Sequence, residues 1–182
     1  MLKRCKWVNL NNPLYIKYHD EEWGHPNHND HYLFEILTLE IFVAGLSWEC
    51  VLNKREAFRK AYDNFEIDKV ISYPESKIDE LMTNENIIRH RLKIKASINN
   101  ALVFKKIQTE FGSFDNYLCT YSCNHIYKES NMTSSPLSDA ISKDLKARGM
   151  KFVGTTTIYA FLQAVGIVDG HDDDCFFKII QN

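Results

Sequence analysis

Leu33-Phe34-Glu35-Ile36-Leu37-Thr38-Leu39-Glu40-Ile41-Phe42-Val43-Ala44-Gly45-Leu46-Ser47-Trp48 carries the clearest structural signal in this sequence. Leu33, Leu37, Ile41 and Ala44 recur at the helical period. Asn29 or Asp30 is placed to cap the helix and Gly45 to end it; Ser47 can then cap a second helix running through Val51, Phe58 and Tyr62. A helical hairpin with a tight Gly45-Leu46-Ser47 corner is predicted.

The helical reading extends outward. Short helices are expected over Asp68 to Tyr73 and Glu75 to Met82, separated by Pro74. A long helix follows from about Arg91 to Phe111 and stops at Gly112. Cys123 to Pro136, polar and rich in Ser and Asn, reads as a loop. Leu137, Ile141 and Leu145 mark a helix ending at Gly149, and Ile158, Phe161, Leu162 and Val165 mark another ending at Gly166. No strand alternation is visible, so residues 1–182 read as one all-α domain.

Composition narrows the function classes. The chain has 182 residues, 45% of them hydrophobic, enough for one packed core. No apolar run approaches the roughly 20 residues that span a bilayer, so a soluble, cytoplasmic protein is expected. Five cysteines without a secretory signal point to core, metal or reactive roles and not to a disulfide framework. The net charge of −2 excludes a globally basic nucleic-acid coat. Local runs differ: Arg89, Arg91, Lys93, Lys95, Lys105 and Lys106 are uninterrupted by acid, and Lys143, Lys146, Arg148 and Lys151 form a second basic stretch. Each can be a solvated face; together they favour a phosphate partner.

Four features could carry chemistry. The connection Gly149-Met150-Lys151-Phe152-Val153-Gly154, followed by Thr155-Thr156-Thr157, is glycine-bounded and leads into a helix amino terminus whose amides can take an anion. It resembles the helix-hairpin-helix motif, which grips a DNA backbone without reading sequence. Glu40 falls on or beside the apolar stripe, where a carboxylate needs a partner, solvent or a functional cavity. Trp7, Tyr15, Tyr18, Trp23 and Trp48 crowd the same third of the chain; some are core, and the rest could box a flat or cationic ring. His171-x3-Cys175 has helical spacing, and Cys5 with His19 offers a second pair. On spacing alone a buried cysteine and a surface histidine are favoured, and Cys50, Cys119 and Cys123 compete as ligands.

Ordered motifs then converge. Arg4-Cys5-x-Trp7-Val8, Pro13-Leu14-Tyr15-Ile16-x-Tyr18-His19-Asp20-x-Glu22-Trp23-Gly24, Ala44-Gly45-Leu46-Ser47-Trp48, Ile87-Ile88-Arg89-His90-Arg91-x-Lys93-Ile94 and Lys151-Phe152-Val153-Gly154-Thr155-Thr156 together resemble the type I 3-methyladenine DNA glycosylase family. The match thins between Ser113 and Pro136.

The resemblance implies an all-α helix-hairpin-helix glycosylase, with its hairpin element at about residues 138–166. Its partner would be double-stranded alkylated DNA, from which it would excise 3-methyladenine as a monomer in the cytoplasm, at the nucleoid. It also implies one structural zinc held by Cys5, His19, His171 and Cys175, a clamp drawn from residues 1–24 and 167–178. Glu40 would be the catalytic carboxylate in a base pocket of Trp7, Tyr15, Tyr18, Trp23 and Trp48. Gly45 and Leu46 would press into the duplex, while Lys151, Gly154 and Thr155 hold the backbone. Two departures stand out. Ile41-Phe42-Val43 replaces residues that are often polar in the family, and Asp169, the nearest match to an aspartate used elsewhere in the superfamily, is not assigned a role. The competing expectations are a non-catalytic zinc-stabilised DNA-binding module and a glycosylase for another alkylated base.

Overall fold

Residues 2–129 and 131–180 are described by the computed structural model. Residue 1, residues 181–182 and residue 130 of the predicted loop lie outside the described residues. The helices are α1 (Pro13–Glu21), α2 (Asp30–Val43), α3 (Trp48–Leu52), α4 (Arg55–Ala61), α5 (Ile67–Ile71), α6 (Glu75–Thr83), α7 (Arg91–Phe111), α8 (Phe114–Ser122), α9 (Pro136–Ala147), α10 (Thr155–Ala164) and α11 (Phe176–Ile180). Two short strands, β1 (Tyr127–Lys128) and β2 (Val168–Asp169), pair in parallel with Tyr127 opposite Val168. None of these helices is long and apolar enough to cross a membrane.

α2 is the axis of the fold. Asn29 caps it, accepting from the amides of His31 and Tyr32, and every residue from Leu33 to Phe42 is buried. The single apolar stripe expected from the sequence is therefore too narrow: a helix apolar on all sides belongs inside, and α2 is enclosed by α3, α7 and α10. It stops at the predicted corner. Gly45 takes φ +85°, and Ser47 caps α3 through the amide of Cys50. The predicted second helix of the hairpin breaks into α3 and α4 around Asn53 and Lys54.

α7 spans the bounds read from the sequence and ties the corner to the α9–α10 connection. Buried Lys93 donates from Nζ to the carbonyls of Phe42 (3.0 Å) and Ala44 (2.7 Å), closing the carboxyl end of α2. Seven residues on, on the same face and about 10 Å along the axis, the amide of Asn100 accepts from Lys151 N (2.8 Å) and donates to Lys151 O (2.9 Å). In the α9–α10 connection Gly149 takes φ +100°, but the second left-handed residue is Phe152 at φ +58°, with Gly154 at an ordinary φ of −64°.

The first basic run is largely neutralised in three dimensions, Lys106 alone having no ion-pair or hydrogen-bond partner for its side chain among the described residues. Lys93 is internal, Arg91 pairs with Glu75 and Asp79, Lys95 with Glu75, and Lys105 with Asp68. In the second run Arg148 pairs with Glu110 and Asp144. Lys143, Lys146 and Lys151 have no ion-pair partner among the described residues.

Candidate active site and metal centre

α1, α2, α3 and α10 converge on a cleft of about 220 Å³ lined by Trp7, Tyr15, Tyr18, Trp23, Glu40, Val43, Trp48, Ala160 and Gln163. Every base-pocket residue expected from the sequence lies in this one wall set. Asn12 starts α1, accepting from Leu14 N, with Pro13 at the first helical position, where its missing N–H costs nothing. α1 then carries Tyr15 and Tyr18 to the cleft. Trp48, at the start of α3, stands 5.1 Å from the Tyr18 ring, and Trp7 packs against Tyr15 (5.2 Å) and Trp23 (4.9 Å). The hydroxyl of Tyr18 and the indole nitrogen of Trp48 are buried without a partner among the described residues.

Glu40 supplies the only carboxylate in that wall. Its carboxylate has no hydrogen-bond or ion-pair partner among the described residues. Burial alone pushes its pKa up to about 8. The other buried acid of α2 is treated differently: Glu35 accepts from Arg55 Nε (2.6 Å) and Arg59 Nε (2.8 Å), and Arg55 also reaches Glu22 (2.6 Å), which takes the hydroxyl of Tyr32 (3.0 Å). That network was not visible in the sequence, because its ion-pair partners are 20 to 33 positions apart. Val43, Ala160 and Gln163 were also missed; within an apolar helix their positions carry no signal.

The exposed Ala44-Gly45-Leu46-Ser47 corner lies between two cleft residues, Val43 and Trp48, with Leu46 at the rim. Gly154 has open space where a Cβ would stand, and α10 begins there without a side-chain cap. Its first amides are left for an outside acceptor. Lys151 is exposed, whereas the hydroxyl of Thr155 is turned onto Ser138 (2.8 Å), leaving its backbone as the group that faces outward bonding.

Behind the cleft, residues distant in sequence meet. Cys5, His19 and Cys175 are buried and offer ligand atoms within 4.8 Å of one another. His171 stands outside that tight group but is buried beside it, its ring 5.6 Å from that of His19 and its Nε2 without a partner among the described residues. Each imidazole is oriented by a carboxylate: His19 Nδ1 to Asp20 (2.8 Å), itself gripped by Arg4, and His171 Nδ1 to Asp169 (2.8 Å). His171 Nε2 is left without a partner and His19 Nε2 faces the Cys5 amide at 3.4 Å and Cys175 Sγ at 3.5 Å, so each Nε2 is turned toward the cysteines, the arrangement usual around metal-bound histidines. Burial lowers the pKa of both histidines, which favours the neutral, ligating form. Burial, followed by the nearby Cys175, pushes the Cys5 thiol up to about 12, so the thiolate needs a cation beside it. Two thiols, two oriented imidazoles and an orphaned Nε2 fit a closed tetrahedral zinc site. Gly24 makes room for it: a Cβ there would lie 2.5 Å from His171 Cε1. Trp23 joins cleft and cluster, its ring 4.5 Å from that of His171.

Known proteins resemble this chain over nearly its whole length. A profile of the methyladenine glycosylase family matches residues 7–178. The chain is 41% identical to the DNA-3-methyladenine glycosylase 1 of Escherichia coli (strain K12), over 96% of each protein. It superposes on a crystal structure of 3-methyladenine DNA glycosylase I with a TM-score of 0.91 at 41% identity, covering 96% of this chain and 98% of that one. The Staphylococcus aureus enzyme, in a structure describing its recognition of 3-methyladenine, also gives a TM-score of 0.91, at 37% identity and 96% coverage of both chains. With the family profile spanning nearly its whole length, this chain belongs to the methyladenine glycosylase family.

Proposed function

We propose that this protein is a DNA-3-methyladenine glycosylase that flips the damaged nucleotide out of alkylated duplex DNA and hydrolyses its N-glycosidic bond. The observation that carries this reading is Glu40, a buried carboxylate without a partner, set in an aromatic cleft of one-base size. A neutral guest leaves that carboxylate desolvated. A cationic guest supplies the missing counter-charge and restores its ionised form.

3-Methyladenine in DNA is such a guest. Methylation at N3 makes the nucleoside cationic, so the bond to the sugar is already weak and the base departs neutral with the bonding electron pair. No strong general acid is required. Trp48 stacks on the flipped base and Tyr18 shapes the pocket beside it, with Trp7, Tyr15 and Trp23 completing the wall. Glu40 accepts hydrogen bonds from the polar edge and stabilises the cationic state. Water adds to the sugar carbon as oxocarbenium character develops, and its proton passes to solvent.

Gly45 and Leu46 at the cleft rim fill the space vacated by the nucleotide. Lys151, Gly154 and the backbone of Thr155 form a helix-hairpin-helix grip on phosphate. Cys5, His19, His171 and Cys175 hold one structural zinc, which supplies folding energy and takes no part in bond cleavage. The protein acts as a monomer in the cytoplasm, where the nucleoid lies.

Incubating the purified protein with methylated duplex DNA and identifying the released bases tests the proposal. Release of 3-methyladenine is expected. Duplex binding without any base release would favour a non-catalytic zinc-stabilised DNA-binding module, for which a solitary carboxylate in the cleft has no use.

A further inference from the structure

Gln163 contributes the only carboxamide to the wall of the cleft, and Gly170 sets where it lies. The side chain projects from the last turn of α10, one turn after Ala160 and on the same face. It has no hydrogen-bond partner among the described residues. A Cβ built on Gly170 would fall 2.1 Å from Gln163 Nε2 and 3.1 Å from its Cδ, and meets no other group within that range. Gly170 does not occupy the left-handed region, so conformation does not demand glycine there. What the missing side chain provides is room for one amide.

The chemistry of the cleft needs such a group. An ionised Glu40 only accepts hydrogen bonds. It suits the exocyclic amino group of 3-methyladenine but not the ring-nitrogen acceptors beside it. A carboxamide offers a donor and an acceptor in one plane, the pattern that pairs with an amino group adjacent to a ring nitrogen on adenine. 3-Methylguanine carries an oxygen acceptor where 3-methyladenine carries that amino group. Glu40 and the amide oxygen of Gln163 would both face it unfavourably.

We propose that Gln163 is a specificity-determining residue that reads the polar edge of the flipped base and favours 3-methyladenine over 3-methylguanine, and that Gly170 is a positioning residue acting through it. The inference rests on the glycosylase reading above. The geometry makes a particular coupling unavoidable. Gly170→Ala displaces the amide only while the amide is present, so its effect should vanish once Gln163 is shortened.

The test measures release of both bases from one sample of methylated duplex DNA, together with zinc content and thermal stability. Gln163→Met should lower the ratio of 3-methyladenine to 3-methylguanine release about tenfold. Gly170→Ala should lower the same ratio in the native background and leave it unchanged when added to Gln163→Ala. Zinc content should stay the same throughout. A ratio within twofold of wild type in Gln163→Met would overturn the inference. So would an equal effect of Gly170→Ala in both backgrounds, which would place its action on neighbouring His171 instead. If Gln163→Met does not fold, the Gly170→Ala comparison decides alone. Failure of the wild type to release 3-methyladenine would overturn the glycosylase reading itself, an outcome distinct from these.

Discussion

Glu35 and Glu40 lie on one buried helix, about 140° apart around its axis, and only Glu35 is neutralised, by Arg55 at 2.6 Å and Arg59 at 2.8 Å. The fold thus has the means to pair a buried acid and withholds it from the one in the aromatic cleft. A fixed, desolvated negative charge facing a cationic base is worth far more than one exposed to water.

Glu40→Gln keeps the shape of the side chain and removes its charge. Release of 3-methyladenine should fall by about 10² to 10³-fold, with circular dichroism and zinc content unchanged. Because the free carboxyl titrates near 8, wild-type kcat/KM should decline as pH is lowered through that value, and the Gln variant should lack this limb. Unchanged base release in the variant would remove Glu40 from the mechanism.

The same carboxyl makes stability depend on pH. Its folded pKa of about 8 exceeds the ordinary value of 4.5, so between those limits the folded state binds more protons than the unfolded one. Stability therefore falls as pH rises from about 4.5 to 8 and is flat beyond. Glu40→Gln should be nearly neutral at the acid end and stabilising at pH 9, by about 5 kcal/mol at most. Urea unfolding of both proteins from pH 5 to 9 checks the slope; a constant difference would mean Glu40 is solvated or paired in solution.

The parts of this structure that the sequence exposes are those determined locally. The α2–corner–α3 stretch and α7 carry strong periodicity and end at glycines, so their bounds follow from period and cap. α1 and α8 went unread although Asn12-Pro13 and Ser113 are good cap signals, because each helix is nine residues long and its apolar pattern is brief. β1 and β2, two residues each, are too short for alternation to register. Pairing across elements is invisible in one dimension: the acids on α5 and α6 that neutralise Lys105, Lys95 and Arg91 left an apparently free basic run. Cys5 and Cys175 likewise gained meaning as ligands from ordered motifs, since no spacing rule spans the chain.

Zinc removal gives the next prediction. Protein purified without chelator should carry one zinc per chain, and Cys175→Ala should lose it along with at least about 10 °C of thermal stability. Gly24→Ala should weaken zinc binding without replacing a ligand. Its new Cβ collides with His171, and its φ of +79° is unfavourable for alanine. Full zinc occupancy and an unchanged melting temperature in Cys175→Ala would exclude a structural metal held by that thiol.

Lys93 links stability to DNA engagement. Its ammonium closes two carbonyls at the end of α2, one of them on Ala44, so it anchors the first residue of the corner proposed to enter the duplex. Burial lowers its pKa, yet the two acceptors and the negative end of α2 keep a donor in place. Lys93→Met retains the apolar stem and deletes only the donor, leaving the buried Phe42 carbonyl unmatched by it at a cost of about 1 to 3 kcal/mol. A looser corner should raise KM for duplex substrate about tenfold with little change in kcat, because Glu40 and Trp48 are held by other contacts. If instead KM held steady while only stability fell, the corner would be positioned without Lys93, and the lysine would serve the core alone.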